Sequence, residues 1–206
     1  MTKAPPYDRE VTLQKALRLF WRKGYHATSL KDLEQALQMR PGSIYAAFQS
    51  KEALFRTVLA KYVEAVEKEF NHTLGIHPSV LDGIAAFIRK FAEPPKETPP
   101  SKACMVVKTL LEVSEAQSPI AVDANTYLAK MEAAFVSAFE KARARGEIAE
   151  QASPVSLARR LQASIFGLRV YAQRWVTDRA VQLLAEDIAQ DVLALRVDTS
   201  TIVEPI

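Results

Sequence analysis

The sequence predicts an all-α fold, and three observations point that way. Glycine is scarce, six residues in 206 against eleven prolines, whereas nucleotide-binding sheets, phosphate loops and tight hairpins all consume glycine for positive φ and close backbone approach. Apolar residues recur at spacings of three and four along most of the chain, the period of one helix face. Ser, Thr or Asp, in places followed by Pro, stands before most of these periodic runs, and Gly or Pro stands after several of them.

The first helix is expected from Tyr7 to Lys23, with Val11, Leu13, Ala16, Leu17, Phe20 and Trp21 as its stripe and Gly24 at C′. The second carries Leu30, Leu33, Ala36 and Leu37; either Thr28 or Ser29 caps it, and Ser29 with Asp32 matches the S-x-x-D/E signature. Pro41, which fixes φ and lacks an amide that a helix start does not need, opens a third short helix through Phe48. Ser50 caps a longer one, Lys51 to about His72. Two short amphipathic helices joined by Gln38-Met39-Arg40 have the geometry of a helix-turn-helix, whose second helix can enter a DNA major groove, or of an ordinary helical hairpin.

A segment from Pro78, with Val80, Leu81, Ile84, Phe87, Ile88 and Phe91 on apolar positions, ends at the proline-rich run Glu93 to Pro100, a stiff surface loop. Ser101 is expected to cap a helix to about Glu115, and Ser118-Pro119 to open a long one to about Arg145, closed by Gly146. Ser153-Pro154 starts another to about Val176, and a last helix runs from Asp178 to about Arg196. Too many apolar residues crowd the first of this pair for a single buried face, and Ala163, Ser164 and Gly167 are small enough for another helix to approach closely, so a partner surface is implied.

Charge separates the two ends. Residues 1–60 hold ten Lys+Arg against five acids, a net of +5, whereas the remaining residues hold 17 against 19, a net of −2. A small overall charge of +3 therefore conceals a basic N-terminal module suited to phosphates. The single cysteine, Cys104, excludes a disulfide scaffold and fits a reducing cytoplasm. No signal-peptide pattern or membrane span is read, so a cytoplasmic chain without a membrane partner is expected. No metal site, cofactor loop or catalytic set emerges: His26, His72 and His77 lack metal spacing, and there is no C-x-x-C or Gly-rich phosphate loop.

The run Gly24 to Phe55 resembles the DNA-binding module of the TetR family of bacterial transcriptional repressors. The resemblance rests on the Gly-aromatic pair, Thr28-Ser29-Leu30, Gly42-Ser43-Ile44-Tyr45, Phe48 and Ser50-Lys51-Glu52, many positions at fixed spacing. It implies a helix-turn-helix DNA-binding domain over residues 1–50, joined to a helical effector-binding and dimerisation domain over residues 51–206, with 51–72 as the connecting helix. It implies a homodimer on a double-stranded DNA operator, with Tyr45 and Lys51 each meeting a phosphate. Ile44 and Phe48 belong on the inward face of the third helix, which leaves Arg40, Ser43, Tyr45 and Ala46 nearer the groove; with Thr28 and Lys51 these form the expected DNA-binding set. Gln38 stands where the family turn often has Gly, and Arg40 where Ser or Thr usually caps the recognition helix. Arg40 can bind guanine or neutralise a phosphate, and Ala46 suits a thymine methyl or shape readout.

Cys104, three residues after Ser101, falls in the first turn of its expected helix, and Lys108 lies four residues on. A positive helix end and nearby ammonium groups favour thiolate, whereas packing as a small apolar residue opposes it. The stretch Ala103 to Val113 resembles the equivalent helix of electrophile-sensing TetR-type repressors, implying that modification of Cys104 releases DNA. A small-molecule effector is the competing trigger, with Phe87, Phe91, Met105, Tyr127, Phe166 and Trp175 as the candidate pocket. The other readings are a thiol-dependent helical enzyme and a helical interaction module without DNA binding.

Overall fold

Hydrogen bonds confined to three or four residues decide where most of the helices begin. In the computed structural model, residues 7–93, 101–113 and 117–197 are described. They form α1 (Arg9–Lys23), α2 (Leu30–Leu37), α3 (Pro41–Phe48), α4 (Lys51–Gly75), α5 (Val80–Lys90), α6 (Met105–Glu112), α7 (Pro119–Ala144), α8 (Pro154–Ala172) and α9 (Asp178–Leu193). The all-α expectation holds: the extended pairing among the described residues is one isolated bridge between Ile148 and Arg196. Most of the proline-rich run, the expected helix end at Glu115 and the C-terminal tail lie outside the described residues.

Asp8 accepts from the amides of Glu10 and Val11, so α1 starts at Arg9 and not at Tyr7. Of the two caps open to α2, Ser29 is the one used, in a reciprocal capping box with Asp32. Ser79, Ser153 and Thr177 cap α5, α8 and α9 by accepting from the amides of Asp82, Ser156 and Ala180. Helix ends depart further from expectation: α4 continues past His72 to Gly75, and α8 stops at Ala172, short of Val176.

Ser101 does not begin a helix. Its hydroxyl accepts from the Ala103 amide at 3.2 Å in a turn, the Trp21 indole donates to the Ala103 carbonyl at 2.7 Å, and α6 starts only at Met105 with Cys104 as its N-cap residue. The long-range bond from Trp21 fixes Ala103 outside the helix, which shortens the element that the sequence places from Ser101.

Contacts divide the chain into two units, Met1–Val66 with Pro95–Leu128, and Glu67–Pro94 with Ala129–Ile206. The division does not fall at the expected cut after residue 50. Leu54, Phe55, Val58, Leu59, Tyr62 and Val63 of α4, with Cys104, Met105 and Val106, join Leu13, Phe20, Leu33, Ile44 and Phe48 in one core. Phe20 meets Phe55 edge-on at 5.0 Å, and burying each such ring contributes about 1.5–3 kcal/mol. In the second unit α9 packs against α5 and α8, and Phe70 stacks edge-on against Phe87 and Phe135, each at 5.0 Å.

Candidate nucleic-acid interface

α3 turns two faces in opposite directions because its apolar residues are four apart. Ile44 and Phe48 are buried, whereas Ser43, Tyr45 and Ala46 are exposed, and Arg40 is exposed at the N-cap. The same outer face includes Gly42 and Gln49, which the expected DNA-binding set omits. A Cβ at Gly42 would meet nothing within 4 Å. Gln49 was missed because the helical pattern stops at Phe48, although its backbone, at φ 67°, continues the exposed edge.

The turn before α3 bears the two departures noted in the sequence. Gln38 adopts the left-handed conformation, φ 56° and ψ 40°, that glycine would take without a Cβ clash; for an L-residue this costs roughly 1–2 kcal/mol. The Arg40 guanidinium has donors and no acceptor, so it makes no side-chain capping bond and the first amides of α3 go without a side-chain acceptor from that residue.

Two of the expected contact residues are placed elsewhere. Thr28 is fully buried, its hydroxyl donating to the Gly24 carbonyl at 2.6 Å, so it presents no side chain at the surface. Lys51 Nζ donates to the Thr28 carbonyl at 2.8 Å and lies 4.5 Å from the Tyr25 ring centroid; burial pushes its pKa down. The ammonium that the family resemblance assigns to a phosphate thus donates to a carbonyl within the head. Two other basic residues are paired: Lys23 with Asp32 at 2.7 Å, and Arg56 with Asp123 at 2.5 Å. Lys23 and Ser29 together hold the Asp32 carboxyl well below the usual carboxylate range.

α6 is fastened to the end of α1. Lys108 Nζ donates to the carbonyls of Trp21 at 2.8 Å and Arg22 at 3.3 Å, where a cation satisfies the free acceptors of a helix C-terminus. Glu112 accepts from the Tyr25 amide at 2.9 Å. Gly24 is required between them: its φ is 87°, and a Cβ there would come within 2.0 Å of a Glu112 carboxylate oxygen. Cys104 is buried, 7% exposed, in the core of the same unit. The expected Cys104–Lys108 partnership is therefore not the bond that forms, because the lysine reaches to α1.

The six candidate pocket residues do not behave as one set. Phe87 is buried in ring packing with Phe70 and Phe91, and Arg169 lies 5.1 Å from the Phe91 ring centroid. Met105 belongs to the core of the other unit and Tyr127 packs, half-buried, against it, Phe166 is half-buried on α8, and Trp175 is 106% exposed. A Trp spaced for the core in sequence is left outside because α8 ends before it. Two surface clefts, of about 250 Å³ beside Arg89 and Glu186 and about 340 Å³ beside Glu132 and Val155, are lined by other residues. Among the described residues no cluster of three His, Cys, Asp or Glu is arranged to hold a metal ion, and no helix is long and apolar enough to cross a membrane.

Comparison with known proteins gives this arrangement its context. Residues 13–58 match the model for bacterial regulatory proteins of the tetR family, and residues 80–198 match that for the tetracyclin repressor-like C-terminal domain. The chain is 32% identical over 172 residues to the HTH-type transcriptional repressor ComR of Escherichia coli K12, covering 81% of this chain and 80% of that protein. A cysteine mutant of the TetR family transcriptional regulator CifR, solved in complex with 26-bp double-strand operator DNA, is 28% identical with a TM-score of 0.82, covering 91% of this chain and 98% of that one. A TetR family regulator from Cytophaga hutchinsonii shares the fold at a TM-score of 0.83 and 17% identity, covering 93% of this chain and 96% of that one.

Proposed function

Because the chain belongs to the tetR family of bacterial regulatory proteins, we propose that it is a cytoplasmic one-component repressor that binds a palindromic operator as a homodimer and is released by a small-molecule effector or by modification of Cys104. Members of this family are DNA-binding transcriptional regulators and not enzymes. The observation that carries the reading is the outer face of α3, where Arg40, Ser43, Tyr45 and Ala46 are exposed together on a basic head. Tyr45, 43% exposed, has its hydroxyl free to donate to a phosphate, which fixes register without reading sequence. Arg40 stands at the helix start, where it meets either a guanine edge or a phosphate. Ala46 offers only a methyl group, suited to thymine or to shape readout. The operator complex of CifR supports double-stranded DNA as the partner class.

For release, the support lies in how α6 is held. Cys104 stands at the N-cap position, without a capping bond, of the helix whose Lys108 and Glu112 grip the end of α1, and with 7% exposure the thiol has no room for an adduct. Oxidation or alkylation there would displace α6 and, with it, the turn from α1 into α2. This would favour a state that binds the operator less well, a population shift. A non-covalent effector acting elsewhere in the helical part gives the same outcome without the thiol.

Selection of bound sequences from random duplexes, with and without N-ethylmaleimide, tests both halves. Recovery of a two-fold symmetric site is expected, with weaker binding after alkylation. Arg40→Ala and Tyr45→Phe should each weaken binding to the recovered duplex at fixed salt while the fold is kept; unchanged affinity refutes their assignment. A Cys104→Ser protein that still responds to the reagent as wild type does removes the thiol from the proposal.

A further inference from the structure

We infer that Arg9 is a second phosphate-positioning residue, held against the far end of the recognition helix. This rests on the reading of α3 as the DNA-facing helix. Its guanidinium carbon lies 5.2 Å from the ring centroid of Phe48, the last residue of α3, and the Tyr7 ring is 6.3 Å from the same ring. Arg9 is exposed. Its contact with Phe48 orients the side chain through the ring face, leaving its N–H edges to other acceptors.

Neighbouring acids do not claim that cation. The Asp8 carboxylate accepts from the amides of Glu10 and Val11, and Glu10 is paired with Lys61 at 2.6 Å. Phe48 itself faces inward, but Gln49 directly after it is exposed, so the exposed guanidinium on the Phe48 ring stands at the opposite end of α3 from Arg40. An eight-residue helix is about 12 Å long, close to the width of the major groove, whose walls are phosphates. Two cations at its two ends therefore face two stretches of backbone. Lys51, which the family resemblance assigns to this work, has its ammonium bonded to the Thr28 carbonyl.

The test uses the full chain and a duplex recovered by selection against wild type, with affinity measured from 50 to 200 mM KCl. Arg9→Met keeps an apolar stem on Phe48 without the charge, and Arg9→Lys keeps a charge. Arg9→Met is expected to weaken binding about three- to tenfold and to flatten the plot of log affinity against log salt by about 0.9 per head. The loss should be the same for the selected duplex and for a mixed-sequence one, since a phosphate contact reads no base. Arg9→Lys should retain the wild-type slope. An unchanged slope in Arg9→Met overturns the inference even if affinity falls, because the loss would then come from packing on Phe48. A wild-type chain that binds no duplex overturns the proposed function itself.

Discussion

The proposed role of Arg40 sets binding against the stability of its own helix. It sits at the N-cap of α3 without a capping bond, although Ser or Asp there would accept from an amide of the first turn. Arg40→Ser should raise stability by about 1 kcal/mol and at the same time weaken operator binding, two effects of opposite sign read by thermal melting and by titration of the duplex. If both rise together, the guanidinium has no role at the DNA. Other residues were legible to different degrees. Ile44 and Phe48 were placed inward by spacing alone, and Ser43, Tyr45 and Ala46 outward, since a four-residue interval fixes a helix face. Thr28 and Lys51 were not, because their partners, the Gly24 carbonyl and the Thr28 carbonyl, are set by how the chain folds back. A spacing rule sees side-chain type and not the acceptor that arrives from elsewhere.

Elements follow the same division between local and distant causes. Starts of α1, α2, α5, α8 and α9 depend on caps within the helix's own first turn; Ser29 and Ser153 announce theirs, whereas the expected starts at Tyr7 and Pro78 fall ahead of the caps Asp8 and Ser79. The start of α6 depends on the Trp21 bond to Ala103, from 82 residues away, and so a serine at 101 misled. α5 combines both kinds of cause. Ser79 caps it locally, while Glu147, from the segment after α7, accepts from the Val80 and Leu81 amides at 3.0 and 3.1 Å and from the Ser79 hydroxyl at 2.7 Å. Burial pushes the Glu147 carboxyl up, but these three donors together hold it below its ordinary value of 4.5. A carboxylate with a depressed folded pKa adds stability that is fully present above the unfolded pKa and is lost as pH falls through the folded one. Glu147→Ala should therefore lower the melting temperature at pH 7, a loss on the order of 1 kcal/mol as for other caps, and the gap from wild type should close as the pH is taken from 5 towards 3. A gap that stays constant across that range would show that the carboxylate charge is not what holds α5.

At the scale of the molecule, the surplus of apolar residues on α8 separates into two sets. Leu157, Leu161, Ile165 and Leu168 are buried within the unit, whereas Val155 and Val170 remain 40% and 52% exposed, and Gly167 opens onto free space. Leu183 of α9 is 48% exposed and Trp175, between the helices, fully so. Internal packing therefore leaves part of what the sequence crowded onto this helix as apolar surface, and in the proposed homodimer this surface on α8 and α9 would pair with its copy in a four-helix bundle. This matters for DNA because a palindromic operator presents half-sites about 34 Å apart, one helical turn, and one head reads only one of them. Joining two heads raises affinity by about 10²–10⁴ through effective concentration alone. Placing a charge in the pairing surface, as in Val170→Arg, should convert a particle of twice 22.9 kDa to one of 22.9 kDa in light scattering at micromolar protein. Operator affinity should then fall at least about a hundredfold, and the slope of log affinity against log salt should halve, since half of the phosphate contacts are lost. Melting of the variant separates this from unfolding: residue 170 is exposed, so the monomer should keep its helices. Wild-type protein that scatters as a monomer would remove the two-fold reading, and the basic head, with its net of +5 in the first 60 residues, would then have to hold DNA by itself.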